Sequence, residues 1–514
     1  MSLPELKILV DAPDEFVPRA AWALDTMLAP LGRRARLVRE RAAAGDCALA
    51  YAPAPVPGVP TIPASAAAME VFAHDRALPP GSFTALRAPA GTAVGAWPAV
   101  GDFAVPFDLV ASAFTLLACW DEHTSADRDG FGRLAYASSV FGAEPALRLE
   151  DPAVDGYVAL LRSILSSRPA GGGAAPLPAS GWMWGDIPGF AVALTHDLDN
   201  LWRWTPRGFA ATGYRGARAV WHSDWPAFGR EIGDLWRWLT VHLPRRSDPH
   251  WTFPQLLGGE DARGVTSTFF VIASHSHRRD GAQPRTYRRR IPAALDLLNR
   301  GGREVGLHGN DRDRLGVAPL DEDLRDLERR AGSAVRGVRY HYLRCLYHET
   351  LPLVDAARIA YDSSLAFAEH EGFRCGVSFP FHPYHLGAER PLDLLEVPLA
   401  LMDTGLQGAQ YRALGAAEAE RVALEILERV RAGGGGAAIL WHNVRFDRRS
   451  AQGYDDVYWR LVDQVRAEGG SATSAWDLAR RWRVAMGEDL EPVREDARGG
   501  IQATSGQTSS GGTS

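Results

Sequence analysis

The apolar residues Val192, Ala193 and Leu194 run into Thr195-His196-Asp197-Leu198-Asp199, which sets two carboxylates two positions apart at the tip of a predicted strand. Side chains at i and i+2 of an extended chain point the same way, so both acids can address one point. Such a pair suits a metal ligand beside a general base. Asp also favours helix caps and turns, so the pair taken alone leaves those readings open.

Read from strand end to strand end, the chain then offers His308 after Glu304-Val305-Gly306-Leu307, Arg339 and His341 after Gly337-Val338, Asp362 after Tyr361, and His442 after Ala437 to Trp441. Each stands at or just beyond the C-terminal end of a predicted strand. In a parallel barrel those ends form one face, where residues remote in sequence can meet. Singly, each has a plainer reading: a turn histidine for His308, packing among aromatics for His341, a cap for His442, an Asx turn for Asp362.

The elements that must position them alternate. After Phe190 the pattern predicts strands to Leu194, at Thr266 to Ile272, Glu304 to Leu307, Gly337 to Arg339, near Tyr361, at Leu394 to Pro398 and at Ala437 to Trp441. Helices are expected at Tyr287 to Asn299, Leu320 to Ala331, Thr350 to Ile359 and Ala416 to Ala432, with a Trp-rich helical insertion over Phe209 to Leu243. Strand and helix alternating at this pace imply a parallel sheet or barrel. An earlier α/β unit is expected from a strand at Leu6 to Val10, a helix at Phe16 to Leu31, short strands near Arg36 to Val38 and Cys47 to Ala50, and a helix at Phe107 to Asp121; Pro53 to Pro63 and Pro79 to Pro98 read as surface connections. The expected organisation is an N-terminal α/β domain over 1–165, a Gly/Pro/Ala/Ser linker over 166–181, a barrel over 182–490 and a disordered tail over 491–514. The cluster Trp202, Trp204, Trp221, Trp225, Trp236 and Trp238 fits either core packing or sugar-stacking platforms.

Composition excludes several classes. With 514 residues, 46% hydrophobic and 23% charged, the chain can bury large cores without staples. A formal charge of -6 gives no footprint for wrapping nucleic acid, and the basic run Arg278 to Arg290 reads as solvated surface. Cys47, Cys119, Cys345 and Cys375 form no C-x-x-C pair and are expected to be reduced and buried. Leu109 to Trp120, the longest apolar helical stretch, falls short of the roughly 20 residues of a bilayer span. The apolar run before Asp11 is too short for a secretory signal, so the default expectation is cytoplasmic. No G-x-G-x-x-G or Walker-type loop assigns a nucleotide to the N-terminal unit.

The ordered set Thr195-His196-Asp197-Leu198-Asp199, Ser267-Thr268-Phe269-Phe270-Val271, Glu304-Val305-Gly306-Leu307-His308, Gly337-Val338-Arg339, Tyr361-Asp362-Ser363-Ser364 and Leu440-Trp441-His442 resembles the polysaccharide deacetylase family (NodB homology, carbohydrate esterase family 4) over about Gly189 to Arg480. It is most similar to a branch with a His-Asp-x-Asp first motif, an Arg-x-His-x-Leu-Arg third motif and a separate N-terminal α/β domain. The resemblance implies a deformed (β/α) barrel that removes acetyl groups from an N-acetylated sugar of a surface polysaccharide or its precursor, using a divalent metal, zinc first and nickel or cobalt as alternatives. It implies Asp197 as general base, Asp199 and His308 as metal ligands, and His442 as the acid that protonates the leaving amine. Arg339 would orient Asp197, and Asp362 would hold His442. Where the family carries a second histidine in H-x-x-x-H, Arg312 stands here, and a guanidinium cannot ligate a metal. His341 is then the expected third ligand, with Asp311 and Asp313 as other donors. A carbohydrate substrate is implied, with no nucleic-acid partner, no membrane span and no stated oligomeric state. Two further readings stay open: an amidohydrolase cleaving another C–N bond, and a non-catalytic sugar-binding barrel.

Overall fold

The structure is a computed structural model that describes residues 3–87, 93–99, 101–167, 176–185, 189–204, 206–240, 248–273, 284–448 and 451–490. The expected tail over 491–514, half of the expected linker and part of the basic run after Arg278 lie outside the described residues.

The chain opens with a parallel sheet of β1 (Glu5–Val10), β2 (Arg34–Val38), β3 (Leu49–Ala52) and β4 (Thr61–Pro63), in the order β2-β1-β3-β4, with the helix Val17–Leu28 crossing between β1 and β2. Three antiparallel strands follow: β5 (Thr84–Arg87), β6 (Ala93–Pro98) and β7 (Phe107–Asp108). β5 and β6 lie where the sequence predicts surface connections, because Pro, Gly and Ala there erase the polar/apolar alternation that marks a strand. The helix expected over Phe107 to Asp121 is two, Leu109–Leu117 and Trp120–Thr124, broken where Cys119 takes φ 45°.

The second sheet holds β8 (Ala191–Asp197), β9 (Thr268–Val271), β10 (Glu304–Gly309), β11 (Gly337–Tyr340) and β12 (Tyr361–Asp362), then, past a small hairpin of β13 (Tyr384–His385) and β14 (Arg390–Pro391), β15 (Leu395–Glu396), β16 (Leu399–Met402), β17 (Gly436–Leu440) and β18 (Ser471–Thr473). All its pairings are parallel, in the order β15-β12-β11-β10-β9-β8-β17-β16, with β18 also on β8. Its two edges are one stretch of chain. Only Val397 and Pro398 separate β15 from β16; the Val397 N–H donates to the Asp362 carbonyl at 2.9 Å, and the Pro398 carbonyl accepts from Ala438 N–H at 2.7 Å. Leu395–Met402 therefore pairs first with β12 and then with β17, closing the sheet into a deformed (β/α) barrel. Pro398, which has no N–H, sits where the strand changes partner.

Strands buried on both faces should read as unbroken apolar runs, and β8 and β17 are buried throughout. Helices cover the outside through one apolar stripe each, as in Val317–Ala331, which buries Leu320, Leu324, Leu327 and Ala331. The barrel interior is tight: a Cβ on Gly306 would meet the Phe270 ring at 2.6 Å. The insertion after β8 is a helical hairpin, Pro206–Trp221 and Trp225–Thr240, turned at Ser223 with φ 55°. One hydrophobic core cluster includes residues of both the N-terminal sheet and the barrel, from Ile8 and Phe114 to Val154, Val377 and Trp441.

Candidate metal centre

The C-terminal strand ends bring the acids and imidazoles together. Asp197 closes β8 and Asp199 lies two residues beyond, His308 is in the last turn of pleat of β10, Arg339 is inside β11 and His341 just past it, and His442 follows β17 by two residues. One ligand atom from each of Asp199, His308 and His341 lies within 4.8 Å of the others. His308 Nε2 is 3.0 Å from Asp199 Oδ1, His341 Nε2 is 3.7 Å from the same oxygen, and His442 Nε2 is 3.4 Å from Asp199 Oδ2.

The chemistry of this donor set fits a cation. His308 Nδ1 lies 2.8 Å from the Arg339 carbonyl, which can only accept, so Nδ1 carries a hydrogen, and the neutral ring then turns an Nε2 lone pair toward Asp199. A lone pair facing a carboxylate at 3.0 Å is repulsive unless a proton or a metal ion intervenes. Donors bound about 2.1 Å from one ion in tetrahedral geometry lie about 3.4 Å apart, and the observed separations bracket that value. The backbone carbonyl behind His308 is the kind of outer partner that fixes a ligating ring.

His341 reaches the site by an unusual route. Tyr342 and Leu343 take φ 58° and 55°, left-handed values for which a non-glycine side chain costs about 1–3 kcal/mol each. The turn is held from outside the barrel: Arg133 Nη1 donates to the Tyr342 carbonyl at 2.7 Å, and Asp129 fixes that guanidinium through Nε at 2.8 Å and Nη2 at 2.6 Å. Arg344 Nε donates to the Phe131 carbonyl at 2.7 Å. Tyr342 stacks on His341 with ring centroids 3.8 Å apart, and the half-open rings of Phe131 and Tyr342 lie 5.0 Å apart beside the triad.

Asp197 is buried under Arg339, whose guanidinium is itself fully enclosed. Arg339 Nη1 is 3.4 Å from Asp197 Oδ1 and donates to Thr195 Oγ1 at 2.5 Å, while Nε and Nη2 hold the carbonyl and hydroxyl of Ser363 at 2.7 and 2.8 Å. The other Asp197 oxygen, Oδ2, lies 3.7 Å from His308 Nε2. One oxygen is thus pinned and the other faces the pocket.

The expected partner of His442 needs correction. Asp362 accepts from Ser364 N–H at 2.7 Å and Ser364 Oγ at 2.8 Å, an Asx turn, and burial pushes its carboxyl up beside Glu396. The carboxylate on His442 is Asp403, whose Oδ1 is 2.6 Å from Nδ1 while Arg445 Nε holds Oδ2 at 2.7 Å. The ring order explains the difference: β12 is separated from β17 by Leu395–Met402, whereas Asp403 directly follows that stretch, next to β17. The strand expected at Leu394 to Pro398 stops short of Asp403, although the apolar run Leu399 to Met402 ending in an acid repeats the signature of Leu194 to Asp197. Among the described residues the cation cluster does not include Asp311 or Asp313: Asp311 is ion-paired to Arg344, and Asp313 accepts from Asn310 N–H at 2.9 Å. Arg312 turns outward to Asp323, 3.1 Å away, and to Glu322.

Burial works against the charges of Asp199, His308, His442 and Asp403, and their partners outweigh it. Desolvation would raise Asp199, but His341, His308 and His442 hold it well below the usual carboxylate range. Burial would lower His442, but Asp403 and Asp199 drive it well above an ordinary imidazole. Asp403 is held at about 2 by His442 and Arg445 despite its burial. An acid kept ionised offers a ligand oxygen to a cation, and an imidazole raised as His442 is can hold a proton to give away.

A family of unknown function (DUF7033) matches residues 44–169. No curated protein matches the chain. Solved structures do: a protein from Mycobacterium smegmatis provisionally called a polysaccharide deacetylase is 18% identical, covering 62% of this chain and 97% of its own, with TM-score 0.39. A PuuE allantoinase is 15% identical over 62% of this chain and 97% of its own, with TM-score 0.39. A CE4 family pseudoenzyme from Bacillus anthracis is 10% identical over 57% and 67%, with TM-score 0.29.

Proposed function

We propose that this protein is a metal-dependent hydrolase that removes acetyl groups from an N-acetylated sugar of a surface polysaccharide or its precursor. The observation that carries the reading is the meeting of Asp199, His308 and His341 around one point, with Asp197 and His442 on its flanks. The three ligands offer two imidazole nitrogens and a carboxylate oxygen, a set that suits zinc first and nickel or cobalt next. A divalent cation held there supplies Lewis acidity, acidifying a water and polarising an amide carbonyl.

The chain's own residues supply the rest. Asp197 Oδ2 accepts the proton of the attacking water, and Arg339 keeps Oδ1 fixed so that only Oδ2 faces the substrate. His442, protonated between Asp403 and Asp199, delivers its Nε2 proton to the departing amine; Asp403 orients the ring and stabilises its charge. Phe131 and Tyr342 form an aromatic wall against which a sugar ring can stack. In this reading residues 1–165 form an accessory unit and 182–490 the catalytic barrel.

The test pairs two measurements on purified protein: elemental analysis, and acetate release from a panel of N-acetylated sugars alongside ring opening of cyclic amides. Stoichiometric metal with acetate release is expected. Metal with cyclic-amide cleavage alone would assign another C–N hydrolase, and absence of bound metal after reconstitution would make the barrel non-catalytic.

A further inference from the structure

We infer that the helical hairpin Pro206–Trp221 and Trp225–Thr240 docks the barrel mouth onto an anionic lipid surface. Twelve large hydrophobic side chains are exposed among the described residues, and eight of them fall on these two helices. Trp221 is 87% exposed, Tyr214 70%, and Trp225 and Trp236 62% each. On the second helix Trp225, Ile232, Trp236 and Leu239 recur at i, i+7, i+11 and i+14, one stripe along one face. In an ordinary surface helix that stripe would lie against the protein; here it faces solvent.

The hairpin has its own inner packing, so the outer stripe is not a core left open. Thr212, Gly216 and Ala219 make a small face that lets the helices approach, with Thr212 and Ala219 buried, and Phe209 packs against Trp238 at 4.7 Å. The hairpin is also fixed to the barrel. Arg203 pairs with Asp234 at 2.5 Å, Arg237 with Asp447 at 3.1 Å, and Asp248 accepts the N–H groups of Arg203 and Trp204 at 2.8 Å each and that of His250 at 2.9 Å, clamping the two ends of the insertion. Asp447 follows the His442 turn, so the hairpin stands on the rim of the metal pocket.

Charge selects the occupant. The chain carries -6 overall, yet residues 206–240 hold five arginines against three acids. Glu231 engages Arg215 and Asp447 engages Arg237, whereas Arg218 and Arg230 are exposed. Arg218 lies between Tyr214 and Trp221 at i, i+4, i+7 on the first helix, where its stem can lie along the aromatics while the guanidinium reaches a phosphate. Tryptophan with arginine on an amphipathic element is the composition of helices that lie in the headgroup boundary of anionic membranes. A second copy of the chain would set this arginine-bearing face against itself, which like charges disfavour.

The inference concerns lipid, not acetate, and stands apart from the deacetylase reading. The test is co-sedimentation of the full-length protein with vesicles of phosphatidylcholine alone or mixed with phosphatidylglycerol, followed by sedimentation velocity without lipid. Partition onto the anionic vesicles is expected, weakened by salt and at least about tenfold weaker in the triple variant W221S/W225S/W236S, whose replaced side chains all face solvent. Arg218→Glu, a single exposed change, should lower partition onto anionic vesicles and leave the melting temperature in place. Wild-type protein that stays in the supernatant with both vesicles would overturn the inference. So would a dimer that the triple variant dissociates, which would make the face a contact between copies.

Discussion

At the scale of single residues, the proposed function divides the pocket between metal holding and proton transfer. Asp199, His308 and His341 converge on one point, whereas Asp197 and His442 approach it from positions fixed by Arg339 and Asp403. His341→Ala should therefore cost stoichiometric metal, read by elemental analysis. Asp197→Asn should keep the metal and lose about 10²–10⁴-fold in turnover, because the amide keeps the shape and loses the basicity. Asp403→Asn has a more specific signature. Without the carboxylate the His442 ring loses the charge that keeps its proton, so acetate release from amides with poor leaving groups should fall about 10²-fold, while activated anilides, which depart without a proton, should be nearly spared. Equal losses on both substrates would remove His442 from the acid role. Most of this set was legible because strand ends can be read from apolar runs that stop at an acid or an imidazole. The sequence offers Asp362 and not Asp403 as the partner of His442, because the identity of a ring neighbour depends on strand order, which no local pattern carries.

At the scale of elements, the proposed third ligand, His341, begins a turn that the N-terminal part of the chain also holds. Two consecutive left-handed residues, Tyr342 and Leu343, follow β11, and the Arg133–Asp129 pair from the N-terminal part of the chain grips the first of them. Both members of the pair are largely shielded, so this interaction is screened less than a surface ion pair. Arg133→Ala should let the turn relax, loosening His341 and weakening metal affinity about 10–100-fold, the usual penalty for losing an outer partner of a ligand. Competition with a chelator reads this directly, and an unchanged affinity would show that β11 alone places His341. Nothing in Arg133 or Asp129 as sequence hinted at this role, since the contact spans 209 residues. Helices and strands with a strong period were legible in advance; the paired edges of the barrel were not, because Val397-Pro398 looked like an ending and is the point where one strand changes partners.

At the scale of the whole molecule, the N-terminal sheet and the barrel share one apolar core, and buried polar groups cross between them. Asp155, on the helix Ala153–Ser166, accepts from Ser378 N–H at 3.0 Å and from the Ser378 hydroxyl, and burial pushes its carboxyl from 3.8 up to about 7. The folded chain therefore keeps a proton there that the unfolded chain releases. Its contribution to stability is present in full below about pH 4 and is lost as the pH rises through about 7. Asp155→Asn is neutral at every pH, and its carbonyl can still accept from Ser378 N–H while its amide donates to the hydroxyl. The variant should thus gain on the wild type as the pH is raised from about 5 to about 8, and its melting temperature should fall less over that range. A residual slope is expected in the variant, because Asp108, buried against Tyr51, Ser65 and Ala111, is also raised to about 7. Parallel melting curves for the two proteins at both pH values would show that Asp155 is ionised in the folded state and that the junction between sheet and barrel carries a charge.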